Sequence, residues 1–172
     1  MEAEVLTESA EISNEVAEEI LILVNVIYQN NDRAAQLLRL HALTEWYIER
    51  ILQVLLKKPD IIINDSRFTY SHKLKLAYSM NGIDEKEENA LRRLSKLRNE
   101  CAHSMAPQIT DKQIIDASQP IAEEFKLAMA DRKKDGIAQD VFQAYIWAIF
   151  SQLSQKAALL EMIHEGIYGE SA

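Results

Sequence analysis

Residues that interrupt helices are scarce in this chain. Only four glycines and three prolines are spread over 172 residues, and both residue types disfavour the interior of a helix. Alanine, leucine, glutamate, lysine and glutamine, which favour helix, fill most of the long segments between them. The sequence therefore predicts an all-α fold, a bundle of about six to seven helices that forms one domain over residues 1–172.

The cellular compartment is constrained by what the sequence lacks. No apolar run approaches the roughly 20 residues that span a bilayer, and the N-terminal residues do not follow the order of regions in a signal peptide. The single cysteine, Cys101, cannot form an internal disulfide and is predicted to be a small core residue. We therefore expect a cytoplasmic protein with no membrane partner.

Negative charge is concentrated at the N-terminus. The net charge is -8, yet residues 1–20 carry seven glutamates and no lysine or arginine, so the rest of the chain is nearly neutral. An acidic arm of this kind, predicted over residues 1–13, suits a basic protein partner, although it can also simply solvate a chain end. The candidate partner-binding residues are Glu2, Glu4, Glu8, Glu11, Glu15, Glu18 and Glu19.

The first two helices are predicted from apolar spacing. One runs from about residue 14 to a turn at residues 30–32, and Asp32 then caps a second helix that ends near Lys57, before Pro59. The run Ile61 to Ile63 has β-branched residues but no strand pattern, so we predict a loop that covers the core. The core stripe of the second helix is predicted at Ala34, Leu37, Leu38, His41, Glu45, Ile48, Leu52 and Leu55.

The next two helices have defined ends. Residues 68–80 form a short helix closed by Asn81 and Gly82, which tolerate the left-handed conformation of a C-cap. Asp84 is predicted to be the N-cap of the following helix, and Glu87 completes a capping box. Acidic residues then crowd the start of this helix and basic residues follow toward its end, as the helix macrodipole favours.

The C-terminal part is predicted to form two further helical segments. Thr110 and Gln113 indicate a capping box, and Pro120 fits the first turn of a helix that ends in the polar run at residues 131–136. The last helix is predicted over residues 137–165, ended by Gly166. Its segment VFQAYIWAIF at residues 141–150 is apolar on nearly every side, so other helices or a second subunit must cover it. We therefore expect a homodimer.

The helical phase of the fourth predicted helix turns one arginine toward the core. Leu91, Leu94, Arg98, Cys101 and Met105 fall along one stripe at 3.6 residues per turn. A buried guanidinium is costly unless it is paired, so Arg98 either extends outward or meets a carboxylate. The second helix offers a candidate partner, which is Glu45.

The neighbouring face of this helix carries a polar, basic strip. Asn99 and His103 lie four residues apart and share this face with Arg92 and Lys96. A histidine that moves a proton, an arginine that holds a phosphate and an orienting amide are the parts of metal-independent RNA cleavage. An inward Arg98 pair with a surface histidine is the alternative. The other histidines have no metal-ligand spacing, so no metal site is expected.

Two segments of the chain resemble known helical domains. DRAAQLLRLHALTEWYIERIL at residues 32–52 and FTYSHKLKLAYSMNGIDEKEENALRRLSKLRNECAH at residues 68–103 are similar to the mannitol operon repressor (MltR-like) family and the wider HEPN group. The resemblance covers about residues 32–105 and rests on the acidic second helix, the K-L-K-L-A-Y helix before N-G-I, and the RN-x-x-x-H element.

The resemblance implies two alternative roles for the RN-x-x-x-H element. In catalytic HEPN ribonucleases an R-x(4-6)-H element forms a composite site across a dimer, and the matching positions are Arg98, Asn99 and His103. Glu45 matches the acidic position of the earlier helix. Other members are non-catalytic, and MltR-like proteins are described as regulators without a recognisable DNA-binding motif.

Two functions are therefore compatible with the sequence. The favoured one is a non-enzymatic regulatory or inhibitory binding protein, such as an immunity or antitoxin protein that neutralises a basic nuclease toxin, or a component of a repressor assembly. The alternative is a HEPN-type metal-independent ribonuclease that acts on RNA. No helix-turn-helix with a basic recognition helix occurs, so direct reading of DNA is not expected. No cofactor motif occurs either, and no cofactor is expected.

Overall fold

The structure, a computed structural model, describes Glu18 and residues 21–23, 25–27, 32–105, 108–134 and 140–168. Helix dominates these ranges and no strand occurs in them, which confirms the predicted all-α bundle. The acidic arm at residues 1–13 and the predicted helix start at residue 14 lie outside the described residues. Glu18 and residues 21–23 and 25–27 are helical and fall within the first predicted helix. The helices that follow are α1 (Arg33–Leu55), α2 (Asp60–Ile63), α3 (Tyr70–Ser79), α4 (Glu85–Ala102), α5 (Asp111–Ser118), α6 (Ala122–Lys134) and α7 (Val141–Tyr168), with a 3-10 turn (Gln119–Ile121) between α5 and α6.

Local signals placed the starts of α1, α4 and α5 correctly. The predicted N-cap side chains accept hydrogen bonds from the first turns of α1, α4 and α5, and the last two form complete capping boxes. Asn81 adopts a φ of 58° after α3, the left-handed conformation expected at this turn. The capping residues are Asp32 for α1, Asp84 and Glu87 for α4, and Thr110 and Gln113 for α5.

The core is built around the apolar segment of α7. Phe142, Tyr145, Ile146 and Phe150 are fully buried, because α7 packs against α1, α5 and α6 of the same chain. The ring of Tyr47 on α1 lies 5.8 Å from the ring of Phe150. The chain's own helices therefore cover the segment, so the segment gives no reason for a second subunit.

The bounds of α7 differ from the prediction at both ends. The helix begins at Val141 rather than residue 137, because the Asp140 carboxylate accepts a hydrogen bond from the Phe142 amide at 2.9 Å and caps it. It continues through Gly166 to Tyr168, since an interior glycine costs only about 1 kcal/mol and does not by itself end a helix. None of the described helices, α7 included, is apolar over enough length to cross a membrane.

The predicted core stripe of α1 was partly wrong. Leu38 is exposed and Glu45 is only half-buried, whereas Leu40, Tyr47 and Ile51 are fully buried. The cause is the wide contact face of α1, which packs against α3, α4 and α7 rather than against one neighbour. The helix also ends at Leu55, two residues earlier than predicted.

The prediction for residues 61–63 was also wrong. These residues belong to the single-turn helix α2, in which the Ile62 and Ile63 amides both donate to the Pro59 carbonyl at 2.9 Å. Ile61 is exposed, so the run does not cover the core as a loop. Pro59 has a φ of -61°, which suits the start of a helical turn and outweighs the preference of β-branched residues for extended backbone.

Candidate functional site

A solvent-accessible groove of about 590 Å³ lies between α3 and α4. We call it the α3–α4 groove. The left-handed turn at Asn81 connects the two helices and brings them side by side. Its lining consists of Tyr70, Ser71 and Leu74 from α3, of Glu88, Arg92, Ser95, Lys96, Asn99 and Glu100 from α4, and of His103.

The groove brings together four of the predicted site residues. Arg92, Lys96, Asn99 and His103 all line it, because positions spaced by three, four or seven residues share one face of a helix. The predicted polar strip is therefore a real surface of the molecule. Arg98 is not among the lining residues.

The predicted pair between Arg98 and Glu45 was wrong. Arg98 is half-buried, and its Nη1 atom donates to Oδ1 of Asn99 at 3.0 Å. Glu45 instead accepts a hydrogen bond from Nζ of Lys73 at 2.9 Å. The reason is that α3 packs against the α1 face that carries Glu45 and supplies a nearer cation. The predicted stripe also fails at Met105, which is fully exposed because α4 ends at Ala102.

Lys73 forms a second charged cluster that the sequence did not indicate. Its ammonium contacts the carboxylates of both Glu45 and Glu49 on α1, and its side chain is only 8 % exposed. Burial alone would lower the pKa of Lys73, but the hydrogen bonds to Glu49 and Glu45 raise that pKa overall. Lys73 therefore stays charged and joins α3 to α1.

The cations of the α3–α4 groove differ in how they are held. Arg92 donates from Nε to Oε1 of Glu88 at 3.1 Å, and its Nη2 atom contacts the same oxygen. The Glu88 carboxylate is buried, while the Arg92 side chain is 62 % exposed. Lys96 is exposed and makes no hydrogen bond or ion pair with the residues that the structure describes.

His103 occupies the C-cap of α4. Its backbone amide donates to the Asn99 carbonyl at 3.1 Å, and its side chain is exposed. The last carbonyls of a helix form the negative end of the macrodipole, which favours a cation and disfavours an anion. His103 thus lies at the end of the groove where a bound phosphate is least stabilised by the helix.

A buried polar cluster lies behind the groove. The rings of His41 and Tyr70 are 4.2 Å apart, and the Tyr70 hydroxyl is 3.2 Å from Oγ1 of Thr44. Burial lowers the pKa of His41, the Arg98 charge lowers it further, and Glu45 partly offsets both. Burial also raises the pKa values of Tyr70 and Tyr145. These groups are therefore neutral near pH 7.

One atom of His41 is left without a partner by this packing. Nε2 of His41 and the hydroxyl of Tyr145 are buried and make no hydrogen bond to any described residue. An unpaired buried polar group is destabilising. Protonation of His41 would destabilise the fold further, because the nearby positive charge of Arg98 repels a charged imidazole.

Metal-ligating side chains do not converge in the described part of the chain. No group of three or more His, Cys, Asp or Glu residues there is arranged to hold a metal ion. Cys101 is buried, as predicted, and burial raises the pKa of its thiol.

The acidic arm at residues 1–13 is wholly outside the described residues. Of the seven glutamates in residues 1–20, Glu18 is described and is exposed on a helix. The other six stay candidate partner-binding residues on sequence grounds alone. They are Glu2, Glu4, Glu8, Glu11, Glu15 and Glu19.

Several lining residues were missed by sequence reasoning. Glu88 and Ser95 lie four residues before and three residues after Arg92, so a helical wheel of α4 could have identified them. Tyr70 and Ser71 come from α3, and no short-range signal tells which face of α3 meets α4.

Comparisons with known proteins add no further assignment. No protein-family model matches this chain, and no curated protein and no solved structure matches it. The chemistry of the groove residues is therefore the basis for a functional conclusion.

Proposed function

We propose that this chain is a non-enzymatic binding protein that regulates or inhibits a protein partner. The observation that carries this proposal is the placement of the two arginines relative to His103. Arg92 precedes His103 by eleven residues, which corresponds to about 16 Å along a helix axis. Arg98 donates to the side-chain amide oxygen of Asn99 and is outside the groove lining. RNA cleavage without a metal needs a cation that holds the phosphate beside the proton-transferring group.

The remaining cation is poorly placed for that role. Lys96 precedes His103 by seven residues, which corresponds to about 10 Å along a helix axis. The C-terminal position of His103 on α4 also opposes the build-up of negative charge beside it. Both features support recognition rather than chemistry at this groove.

The negative charge of the N-terminal arm indicates the kind of partner that it can bind. The acidic arm suits a basic protein, such as a nuclease toxin that an immunity or antitoxin protein neutralises, or a subunit of a regulatory complex. A cytoplasmic homodimer related to the mannitol operon repressor family is part of the same proposal, and the dimer rests on the resemblance alone because helices of the same chain cover the apolar segment of α7. Sedimentation of the purified protein at tens of micromolar tests the dimer, and a monomer at that concentration contradicts it.

A HEPN-type ribonuclease is the second candidate. One observation favours it: Arg92, Lys96, Asn99 and His103 line the same groove. A composite site across a dimer would add Arg98 of a second copy, which is the arrangement that the resemblance implies. This candidate requires His103 to act on RNA.

An RNA cleavage assay separates the two candidates. Purified protein is incubated with labelled RNA in the presence of a metal chelator, beside a His103→Ala variant and a His72→Ala control. His72 is exposed on α3 and does not line the groove. We expect no cleavage by any of the three proteins. Cleavage that is lost only in the His103→Ala variant would show that the chain is a ribonuclease.

A further inference from the structure

We propose that the α3–α4 groove binds an acidic segment of a partner protein, whose carboxylates contact Arg92 and Lys96. This inference rests on the proposed function, because it names the partner chemistry of the same groove. The segment is distinct from the basic surface that the acidic arm suits. A single partner can carry both.

The local charge of α4 is opposite to that of the whole chain. Residues 92–103 contain four bases and one acid, whereas the chain as a whole has a net charge of -8. Three of those bases, Arg92, Arg93 and Lys96, are exposed. Charge complementarity therefore directs an anionic partner to this face of α4.

Arg92 is positioned in advance for a carboxylate. Its Nε and Nη2 atoms contact the buried Glu88 carboxylate, which fixes the guanidinium while Nη1 remains available. Because Arg92 is 62 % exposed, an incoming carboxylate can reach that nitrogen. A side chain that is already ordered loses less conformational entropy on binding.

Lys96 supplies the second contact. It lies one helical turn after Arg92, so the two cationic side chains start about 6 Å apart on the same face. Carboxylates spaced by four residues on a partner helix have the same separation. Lys96 has no partner among the described residues, so it gains an ion pair without losing one.

The surface offers room on both sides of Lys96. Lys96 and Glu100 also line a second groove of about 450 Å³ between α4 and α5. On that side Arg93 donates from Nη1 to the Asp116 carbonyl at 2.6 Å, which holds it against α5. A peptide that crosses α4 at Lys96 can therefore contact both grooves.

The lining favours a peptide over a nucleic acid. Glu88 and Glu100 line the groove and repel a continuous row of phosphates. Tyr70 is only 8 % exposed and packs on His41, so its ring offers no platform for stacking a base. An acidic peptide can space its carboxylates to avoid both glutamates.

Fluorescence anisotropy with a defined probe tests the proposal. The probe is a labelled synthetic peptide with the sequence of residues 1–20, which carries seven glutamates and no base. The full-length protein is titrated beside its Lys96→Glu variant and a Lys86→Glu control. Lys86 is exposed on the same helix and lines neither groove. We expect Lys96→Glu to weaken binding by about tenfold or more and the control by less than about twofold.

Four outcomes would overturn the proposal. These are absent peptide binding, equal effects of the Lys96→Glu and Lys86→Glu variants, equal binding of a peptide whose glutamates are all glutamine, and tighter binding of a 20-nucleotide RNA than of the peptide. If the protein cleaves no RNA, any of the first three outcomes rejects only the binding of an acidic segment. The proposed non-enzymatic function is then unaffected. RNA cleavage that depends on His103 removes both.

A second variant of the full chain identifies the source of the acidic segment. Its seven N-terminal glutamates are replaced by glutamine, and the same probe is titrated. Unchanged affinity supports a separate partner protein. Binding that is tighter by about tenfold or more would mean that the chain's own glutamates compete for the groove, which overturns the assignment to a separate protein. The replaced residues are Glu2, Glu4, Glu8, Glu11, Glu15, Glu18 and Glu19.

Discussion

Two clusters of charged residues in this molecule contain the same residue types but have different roles. At the contact of α1 with α3, Lys73 is 8 % exposed and contacts Glu45 and Glu49. On the α3–α4 groove, Arg92 is 62 % exposed, and Lys96 is exposed and pairs with no residue in the described part of the chain. The first cluster holds two helices together, and the second remains open to solvent.

The difference shows that burial, not residue type, decides what a charge does here. A buried ammonium needs a partner of opposite charge, so the ion pairs of Lys73 contribute to the stability of the fold. An exposed cation contributes little to stability and stays available for a ligand. Substitutions in the two clusters should therefore separate stability from binding.

Removing the buried charge should give the largest effect on stability. Lys73→Met keeps most of the apolar stem but leaves Glu45 and Glu49 without their common partner. We expect the free energy of unfolding to fall by about 2 to 3 kcal/mol in urea denaturation, below the largest values for buried pairs because both carboxylates are partly exposed. Lys75→Met, an exposed neighbour, should change it by less than about 0.5 kcal/mol. Equal losses would contradict the distinction between the clusters.

Lowering the pH should reduce the free energy of unfolding through His41, by less than the Lys73→Met substitution does. Burial and the Arg98 charge lower the pKa of His41 below its ordinary value of 6.5. The unfolded chain then binds a proton at a pH where folded His41 does not, so the free energy of unfolding falls as the pH drops below about 6.5. Urea denaturation between pH 7.5 and 5.5 measures this slope.

A ring substitution isolates the contribution of His41. In a His41→Phe variant the ring contact with Tyr70 is kept and the titration is removed, so the slope over this pH range should become shallower. The control is His72→Gln, because His72 is exposed and lies outside the buried polar cluster. A slope that is identical in His41→Phe and the wild type would show that His41 does not control acid sensitivity.

The smallest stability effect is expected for Arg98, which the sequence had placed in a buried pair. Its hydrogen bond to Asn99 is exposed, so Arg98→Ala should lower the free energy of unfolding by about 1 kcal/mol or less. The measurement is the same urea denaturation. A loss of about 3 kcal/mol would instead indicate a buried ion pair.

Short-range features of this fold could be predicted from the sequence. Asp32, Asp84 and Thr110 cap helices through bonds within a few residues, so the residue types alone specify them. The left-handed Asn81 is equally local. The α4 face that carries the polar strip follows from the helical period, which is why Arg92 and His103 were placed together correctly.

Contacts between helices could not be predicted in the same way. Glu45 could reach a cation on either α3 or α4, and the choice of Lys73 depends on the packing of α3 against α1. The sequence also did not show what buries the apolar segment of α7, because helical periodicity indicates that a face is buried but not which helix or subunit packs against it. Tyr70 was missed because its place in the groove depends on the same packing.

The central claim is that the exposed cations of α4, not the buried cluster, form a binding surface. A titration of ¹⁵N-labelled full-length protein with the peptide of residues 1–20, followed by nuclear magnetic resonance, tests it most directly. We predict that the largest amide shift changes fall on residues 92–103, that Glu45 and Glu49 change little, and that the changes disappear in Lys96→Glu. Large changes on α1 or α7 with residues 92–103 unaffected would contradict the claim.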